Sequence, residues 1–426
     1  METLLSLSIA LFAGLMLSRL AKLVKLPAVT AYLVTGILIG PYCLGALGVP
    51  GLGFNSMAQL SALKIIPDVA LGFIAFSIGN EFRLAQLKKI GKQATVIGIL
   101  QAVTATIFVD VALVALHFAI PDKFPLPAAI ILGAVASATA PAATLMVVRQ
   151  YKAKGPVTDT LLPVVAIDDA VGLVLFAISF GVAGALLDGQ VDVISIVVEP
   201  LLEVVLSLGL GSIMGLLITF FERFFHSRSK RLSMSVAFVL LTVGLSMIKF
   251  NVGTVDFGFS SLLTCMMLGT MFCNTCDFSE ELMDRLDRWT APIFILFFVI
   301  SGAELELSIF GDLIIVLIGL VYILFRSAGK YFGAGLSAKL VKAEPNVKKY
   351  LGITLLPQAG VALGMALKAQ ALGSVGVIVA NITLFSVLIY ELIGPFLTKI
   401  ALTKAGEINP EGKVSARKKP IDTTAN

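Results

Sequence analysis

Thirteen apolar segments follow one another along this chain, each near the ~20 residues that a helix needs to cross a bilayer. They run approximately over 3–24, 28–46, 60–80, 93–118, 126–148, 157–187, 193–222, 232–250, 257–274, 290–305, 308–335, 350–368 and 373–399. Few folds tolerate such a pattern. In hydrocarbon every backbone N–H and C=O must be paired within the protein, so only helices and closed barrels span. The alternating ~10-residue segments of a barrel are absent. The expectation is an all-α polytopic membrane protein with about thirteen transmembrane helices. Only 14% of the 426 residues are charged and 58% are hydrophobic, whereas a soluble domain carries roughly 25% charged residues. The shortfall runs the whole length, which excludes a soluble domain on a single anchor. The first run, Thr3 to Leu17, has no basic residues before it and no small-residue cleavage site. It reads as a retained helix, not a signal peptide.

Lysine and arginine orient the segments, because cytoplasmic loops hold the excess. Clusters follow the odd-numbered segments: Arg19, Lys22 and Lys25; Arg83, Lys88, Lys89 and Lys92; Arg149, Lys152 and Lys154; Arg223, Arg228, Lys230 and Arg231; Arg285 and Arg288; Lys339, Lys342, Lys348 and Lys349; and the C-terminal group with Lys404, Lys413, Arg417, Lys418 and Lys419. The loops after even-numbered segments, with the helix ends beside them, hold only Lys64, Lys123, Lys249 and Lys368. One missed span would invert everything downstream, so the alternation supports the count. It places the N-terminus outside and the C-terminus in the cytoplasm. The formal charge of +5 then reflects orientation and no nucleic-acid partner. Residues 405–426 read as a disordered basic tail that could meet anionic lipid. Cys273 and Cys276 form a lone CxxC with no second pair, which is weak evidence for a metal. His117 and His226 fall at segment ends and read as interfacial.

Two stretches echo each other: "LGFIAFSIGNEFRL" (71–84) and "LFFVISGAELEL" (296–307), with Gly79 and Gly302 aligned. Segments one to six and eight to thirteen would then form two inverted six-helix repeats, with the seventh as linker. That plan puts a transporter's site at the midplane, on interrupted helices. Matching interruptions are legible. The fifth segment holds "ASATAPAATLM" (136–146), with Ser137, Thr139 and Pro141; the twelfth holds "ITLLPQAGVALGMAL" (353–367), with Pro357, Gln358, Gly360 and Gly364. The expectation is a pair of broken helices.

Charges inside these segments are costly, ~2.5–3.5 kcal/mol each at the bilayer centre on insertion scales. Asp168 and Asp169 lie near the middle of the sixth segment, in "AIDDAVG". Adjacent helical residues point about 100° apart, so the two cannot face one partner and two roles are expected. Of the 32 Lys and Arg residues, only Arg326 and Lys330 lie well inside a segment. They are four apart and share a helix face; small residues Ser327, Gly329, Gly333 and Gly335 permit close packing there. A buried lysine tends to lose its proton unless an acid pairs with it. Pairing with an aspartate of the sixth segment suits a proton carrier, because a cation that claims the carboxylate frees the lysine's proton. Glu391 and Asp110 are further intramembrane acids, readable as packing or as a proton path. Asp68, Glu81, Glu304, Glu306 and Asp312 lie nearer segment ends and read as interfacial.

Six motifs stand in order: "GILIGP" (36–41), "FSIGNEF" (76–82), "TAPA" (139–142), "AIDDAVG" (166–172), Lys330 in "SAGKYFGAG" (327–335) and "LPQAGVALG" (356–364). Over about residues 1–403 the chain resembles the monovalent cation:proton antiporter superfamily, in particular the NapA-type sodium/proton antiporters. The resemblance implies the NapA/NhaA-like fold and a homodimer in the inner or plasma membrane of a prokaryote. It divides residues 1–404 into scaffold helices (about 3–80 and 232–305), a linker (about 193–222) and a core (about 93–187 and 308–399) that moves as an elevator. It places the ion-binding aspartate on Asp169, the lysine's acid on Asp168 and the lysine on Lys330. Thr139, Ser137, Pro141 and Gln358 would support the ion on the broken helices, with Arg326 and Glu391 as accessory charges. No cofactor is implied beyond transported Na+ or Li+ and H+. Members with Asp-Asp are typically electrogenic. Where relatives often carry an acid before the fifth helix's proline, this chain has Ala140, which bears on the choice among Na+, Li+ and K+.

The expected function is exchange of Na+ or Li+ for H+, with no enzymatic activity. Rivals are a K+/H+ antiporter, a sodium-coupled organic anion symporter with a similar core, and a channel or sensor. The symporter would need a cation to hold its anion, and Arg326 is the only intramembrane candidate. A sensor would need a folded output domain, and a channel would not need an acid–lysine exchange.

Overall fold

The computed structural model describes residues 2–23, 26–49, 52–80, 82–188, 199–248, 250–252, 255–304 and 311–408. Glu81, Glu306, residues 193–198 of the seventh segment and the basic tail from residue 409 lie outside these ranges. Sixteen α-helices occur among the described residues: α1 Glu2–Leu23, α2 Ala28–Ile39, α3 Met57–Ala62, α4 Ile65–Asn80, α5 Leu84–Ala119, α6 Leu126–Val135, α7 Pro141–Tyr151, α8 Pro156–Asp188, α9 Glu199–Glu222, α10 Arg228–Ser246, α11 Ser261–Thr275, α12 Ser279–Ala303, α13 Leu313–Leu340, α14 Pro345–Thr354, α15 Gly360–Ala369 and α16 Ser374–Lys404. Nine stretches among the described residues are long and apolar enough to cross a membrane, and four shorter apolar helices accompany them. The chain is an integral membrane protein.

Three local differences from the sequence reading have physical causes. Helix α12 begins at Ser279, eleven residues before its apolar segment. Its first turns are amphipathic and charged: Arg285 Nη2 meets Glu281 Oε1 at 3.0 Å, and Arg83 reaches Glu280 at 3.2 Å. Hydropathy detects the membrane-facing part of such a helix and not its polar start. Second, the third segment is split. Ser56 caps α3, its Oγ accepting from Gln59 N at 3.3 Å, and α4 starts anew at Ile65. Third, the stretch read as one helix end and the next helix start holds the only strands among the described residues. Strand β1 Phe250–Val252 pairs antiparallel with β2 Val255–Phe257, Phe250 opposite Phe257. The β-branched and aromatic residues of the two strands favour extended backbone over a helix end.

Buried side chains fall into separate clusters. One joins α1–α4, α9–α12 and the inner faces of α7 and α8 around Phe73, Phe76, Phe272 and Phe298; two others join α5–α8 and α13–α16. Inside the first cluster two helix pairs approach backbone to backbone. A Cβ on Gly36 (α2) would lie 2.0 Å from Val299 O, and one on Gly302 (α12) 2.2 Å from Leu33 O. Likewise a Cβ on Gly79 (α4) would lie 1.9 Å from Met266 O, and one on Gly269 (α11) 2.1 Å from Phe76 O. Only glycine fits at these crossings.

A long-range contact fixes the start of α8. Glu407, just beyond α16, accepts from Val157 N at 2.7 Å, Thr158 N at 2.8 Å and Thr158 Oγ1 at 2.7 Å. The first N–H groups of a helix have no intrahelical partner, and here a carboxylate supplies one where the helix dipole favours negative charge. Glu407→Ala is expected to cost about 1–2 kcal/mol, as lost caps do, and to lower the melting temperature more than Glu407→Gln. Thermal unfolding of the purified protein checks this.

Candidate functional site

Two helices stop and restart in the same place. Helix α6 ends at Val135 and α7 begins at Pro141; α14 ends at Thr354 and α15 begins at Gly360. The cause is local in both cases. Proline lacks an N–H and clashes with the preceding turn, so it ends one helix and is tolerated at the first position of the next. Pro141 occupies that first position of α7, after Ala140 in extended conformation. Pro357 lies within the second gap. The gaps also touch, since Ala140 N donates to Pro357 O at 2.8 Å.

Helix ends inside a bilayer leave carbonyls without water, and each needs a donor. Two cations on α13 supply them. Arg326 is 0% exposed. Its Nε donates to Ala136 O at 3.0 Å, Nη2 to Ala138 O at 2.6 Å and Nη1 to Leu356 O at 2.7 Å. Its guanidinium also lies 4.5 Å from the centroid of the Tyr390 ring. One fork therefore binds carbonyls of both gaps, just past the ends of α6 and α14. Sequence reasoning took Arg326 for an accessory charge, and the structure assigns its three nitrogens to the backbone. Lys330, one turn on, donates to Ser137 O.

The carboxylates differ in their surroundings. Asp168 is fully buried and surrounded by donors. Its Oδ2 lies 2.7 Å from Lys330 Nζ, itself fully buried, and also accepts from Thr139 Oγ1; Lys330 Nζ donates to Thr139 Oγ1 at 2.9 Å. Its Oδ1 accepts from Gln101 Nε2 at 2.7 Å. Asp169 is 2% exposed, and its buried Oδ1 has no hydrogen-bond partner. The same helix thus presents one carboxylate with donors on both oxygens and another with an oxygen left free.

Gln101 was missed in the sequence. An uncharged amide in an apolar run carries little signal unless its partner is known. Its position follows from the packing of α5 on α13. A Cβ on Gly333 would lie 3.0 Å from Gln101 Cα, and one on Gly329 2.7 Å from Ala105 Cα. This contact sets Gln101 and Lys330 beside the same acid.

Other predicted residues lie near the break without meeting the carboxylates. Ser137 Oγ donates to Ala134 O at 2.6 Å, and its backbone oxygen serves Lys330. Gln358 Nε2 donates to Val135 O at 2.9 Å and Tyr322 Oη at 2.8 Å, and Gln358 Oε1 accepts from Ser386 Oγ at 3.3 Å. Its recorded contacts brace the α6 end against α13 and α16, with none to Asp168 or Asp169. Glu391 on α16 is 6% exposed, with Glu304 as its charged neighbour. Asp110 presses against α6 at Gly133, its Oδ1 without a partner.

A cavity of about 1140 Å³ lies at the end of the molecule that carries Lys152, Lys154 and Arg288, and neither carboxylate lines it. It is lined by Thr158, Leu162 and Pro163 of α8. Pro163 is five residues from Asp168, about 7.5 Å along a helix. On its wall Arg149 (α7) pairs with Asp287 (α12) at 2.5 Å. Among the described residues no group of three or more His, Cys, Asp or Glu side chains is arranged to hold a metal.

Comparison with known proteins identifies the fold and the family. Na(+)/H(+) antiporter 1 of Methanocaldococcus jannaschii is 23% identical over 398 residues, 88% of this chain and 86% of that protein. Two solved structures of the sodium proton antiporter MjNhaP1 from the same organism share the fold. One, at pH 8, has a TM-score of 0.62 at 20% identity and covers 95% of this chain and 97% of its own. The other, an electron microscopy structure, has a TM-score of 0.68 at 18% identity and covers 94% of each. The transmembrane sodium/hydrogen exchanger family matches residues 7–404, and the chain therefore belongs to that family, within the monovalent cation:proton antiporter superfamily.

Proposed function

We propose that this protein exchanges Na+ or Li+ for H+ across the membrane, with Asp169 as the cation's first ligand. The observation that carries the reading is the contrast on α8. Asp168 has donors on both oxygens, whereas Asp169 Oδ1 is buried without one. An empty carboxylate oxygen in a membrane interior is costly unless it is protonated or holds a cation. A proton and Na+ cannot hold it together, and that exclusion is the exchange. Na+ arriving through the cavity displaces the proton on Asp169 and competes with Lys330 for Asp168, and Lys330 can then release a proton. Two released protons for one Na+ would move net charge, which makes the exchange electrogenic.

Several features support the family's architecture. Thirteen crossings result if α6 with α7, and α14 with α15, count as one each and α3 as none. Two inverted repeats then pair α2 with α11 and α4 with α12. Under that pairing Gly36 corresponds to Gly269 and Gly79 to Gly302, and the two glycine crossings are each other's images. Glu391 follows Asp168 by the same 223 residues that separate Gly79 from Gly302. The Arg149–Asp287 pair links α7 of the proposed core (α5–α8, α13–α16) to α12 of the proposed scaffold (α1–α4, α10–α12). The NapA-type subgroup, the homodimer and the prokaryotic membrane rest on the resemblance; the lipid contacts of the tail rest on its basic cluster, and the outward N-terminus on the basic loops. An organic anion symporter is disfavoured because Arg326, the cation it would use, already gives three of its five N–H groups to backbone carbonyls.

Full-length protein in liposomes with an internal pH dye tests the proposal. Addition of Na+ or Li+ should move protons, and an imposed potential should change the rate. If neither ion, nor K+, moves protons, the antiporter reading is wrong. A response to K+ alone would replace the cargo and keep the mechanism.

A further inference from the structure

We infer that α5 flexes at Gly91, between a first turn tied to the scaffold and a body packed into the core, and that this turn is a hinge of the core's movement. The inference rests on the reading of a core that moves against a scaffold.

The start of α5 is held by the scaffold. Arg83 precedes the helix and its side chain makes no cap, so the first N–H groups need a partner from elsewhere. Asn274, at the end of α11, supplies one. Its Oδ1 accepts from Leu84 N at 2.8 Å, and its Nδ2 donates to Phe82 O at 2.9 Å and to Thr270 O at 2.7 Å. One amide thus pairs with the backbone on both sides of Arg83. Phe82 itself is buried in the cluster around Phe73 and Phe272.

The body of α5 is held by the core. Ala94 and Ile97 are fully buried, in a cluster with Val164 of α8, Ala334 of α13 and Leu351 of α14. A Cβ on Gly98 would lie 2.9 Å from Ile167 Cγ2 of α8. Leu84 and Ala94 are about 15 Å apart along the helix. When the core moves and Leu84 stays, the displacement falls on that span.

Gly91 lies inside it. A Cβ there would meet no neighbour within 4 Å, so packing does not call for a glycine, as it does at Gly98, Gly329 and Gly333. Glycine inside a helix weakens it relative to alanine. The carbonyl of the same residue carries a second load. Thr95 Oγ1 donates to Gly91 O at 2.8 Å, a back-bond of the kind that bends helices. A weakened turn between two fixed ends is where flexing costs least.

The test uses full-length protein in liposomes with an internal pH dye, wild type beside Gly91→Ser and Gly91→Ala. Neither side chain meets a neighbour, so the series varies the stiffness of the backbone. Helix propensity rises from glycine through serine to alanine, and the maximal rate of Na+-driven proton movement is expected to fall in that order, by about three- to fivefold at alanine. Na+ half-saturation should stay unchanged and the melting temperature should rise in the same order. A flat series, a rate that follows side-chain size or polarity, or a melting temperature that falls overturns the hinge. Asn274→Ala removes the tie, and in that background Gly91→Ala should slow exchange no further; additive slowing overturns the coupling between tie and hinge.

The moving core is read separately. In a chain with Arg149→Cys and Asp287→Cys, a short bifunctional maleimide that ties α7 to α12 should stop exchange, with each single variant as the control for the native thiols. Exchange undiminished by that cross-link would sink the moving-core reading and the hinge with it. A cross-link that stops exchange beside a flat Gly91 series sinks the hinge alone.

Discussion

Asp169→Asn should abolish Na+-driven proton movement in liposomes while leaving the protein folded. The expected loss exceeds a hundredfold, because the substitution removes the negative charge and the protonatable group together. An asparagine oxygen can still touch Na+, but it cannot release a proton when the ion binds. Stability should not fall. Asp169 Oδ1 has no hydrogen bond to lose, and a neutral amide is easier to bury than a carboxylate. The signature is therefore a dead transporter with an unchanged or raised melting temperature. Retained exchange would move the cation to Asp168 or elsewhere. A melting temperature that falls sharply would give Asp169 a structural role.

Lys330→Ala should act in the opposite way, on stability first. Removing one partner of a buried ion pair typically costs about 3–5 kcal/mol, mostly because the remaining charge is stranded. Asp168 keeps Thr139 and Gln101 as donors, which argues for the lower end of that range. Ser137 O loses its donor as well. Exchange should weaken, with its pH dependence displaced, because the carboxylate must then manage its proton without the neighbouring ammonium. The double variant Lys330→Ala/Asp168→Asn separates the effects: it should recover much of the lost stability and none of the exchange. Equal melting temperatures for wild type and Lys330→Ala would refute the ion pair's energetic role.

The sequence was most legible where one residue's chemistry acts alone. Pro141 and Pro357 cannot continue a helix, and both gaps lie beside them. Asp168, Asp169, Arg326 and Lys330 were conspicuous because charge is expensive in hydrocarbon. What stayed hidden depends on groups that no residue letter displays. Arg326 binds carbonyls, which every residue owns, so nothing in its neighbourhood marked them as partners. Glu407 reads as the start of a polar tail until the fold returns it to the first turn of α8. Gln101 needed the α5–α13 contact before its amide had an object. The start of α12 was missed because charged turns continue a helix that hydropathy stops counting. Gln358 is a polar residue beside a break whose amide nitrogen goes to Val135 O and Tyr322 Oη, partners that its letter did not display.

The Arg326 fork also bears on how such a protein can drift. Its nitrogens bind carbonyls at residues 136, 138 and 356, and carbonyls do not mutate. Side chains along both gaps can therefore vary while the frame around the carboxylates keeps its shape. The arginine itself has no near substitute: lysine brings a compact point charge where a planar fork is required. Freedom at many positions is thus guaranteed by rigidity at one. New ion preferences should arise from exchanges at positions such as 139 and 140, with Arg326 unchanged beneath them.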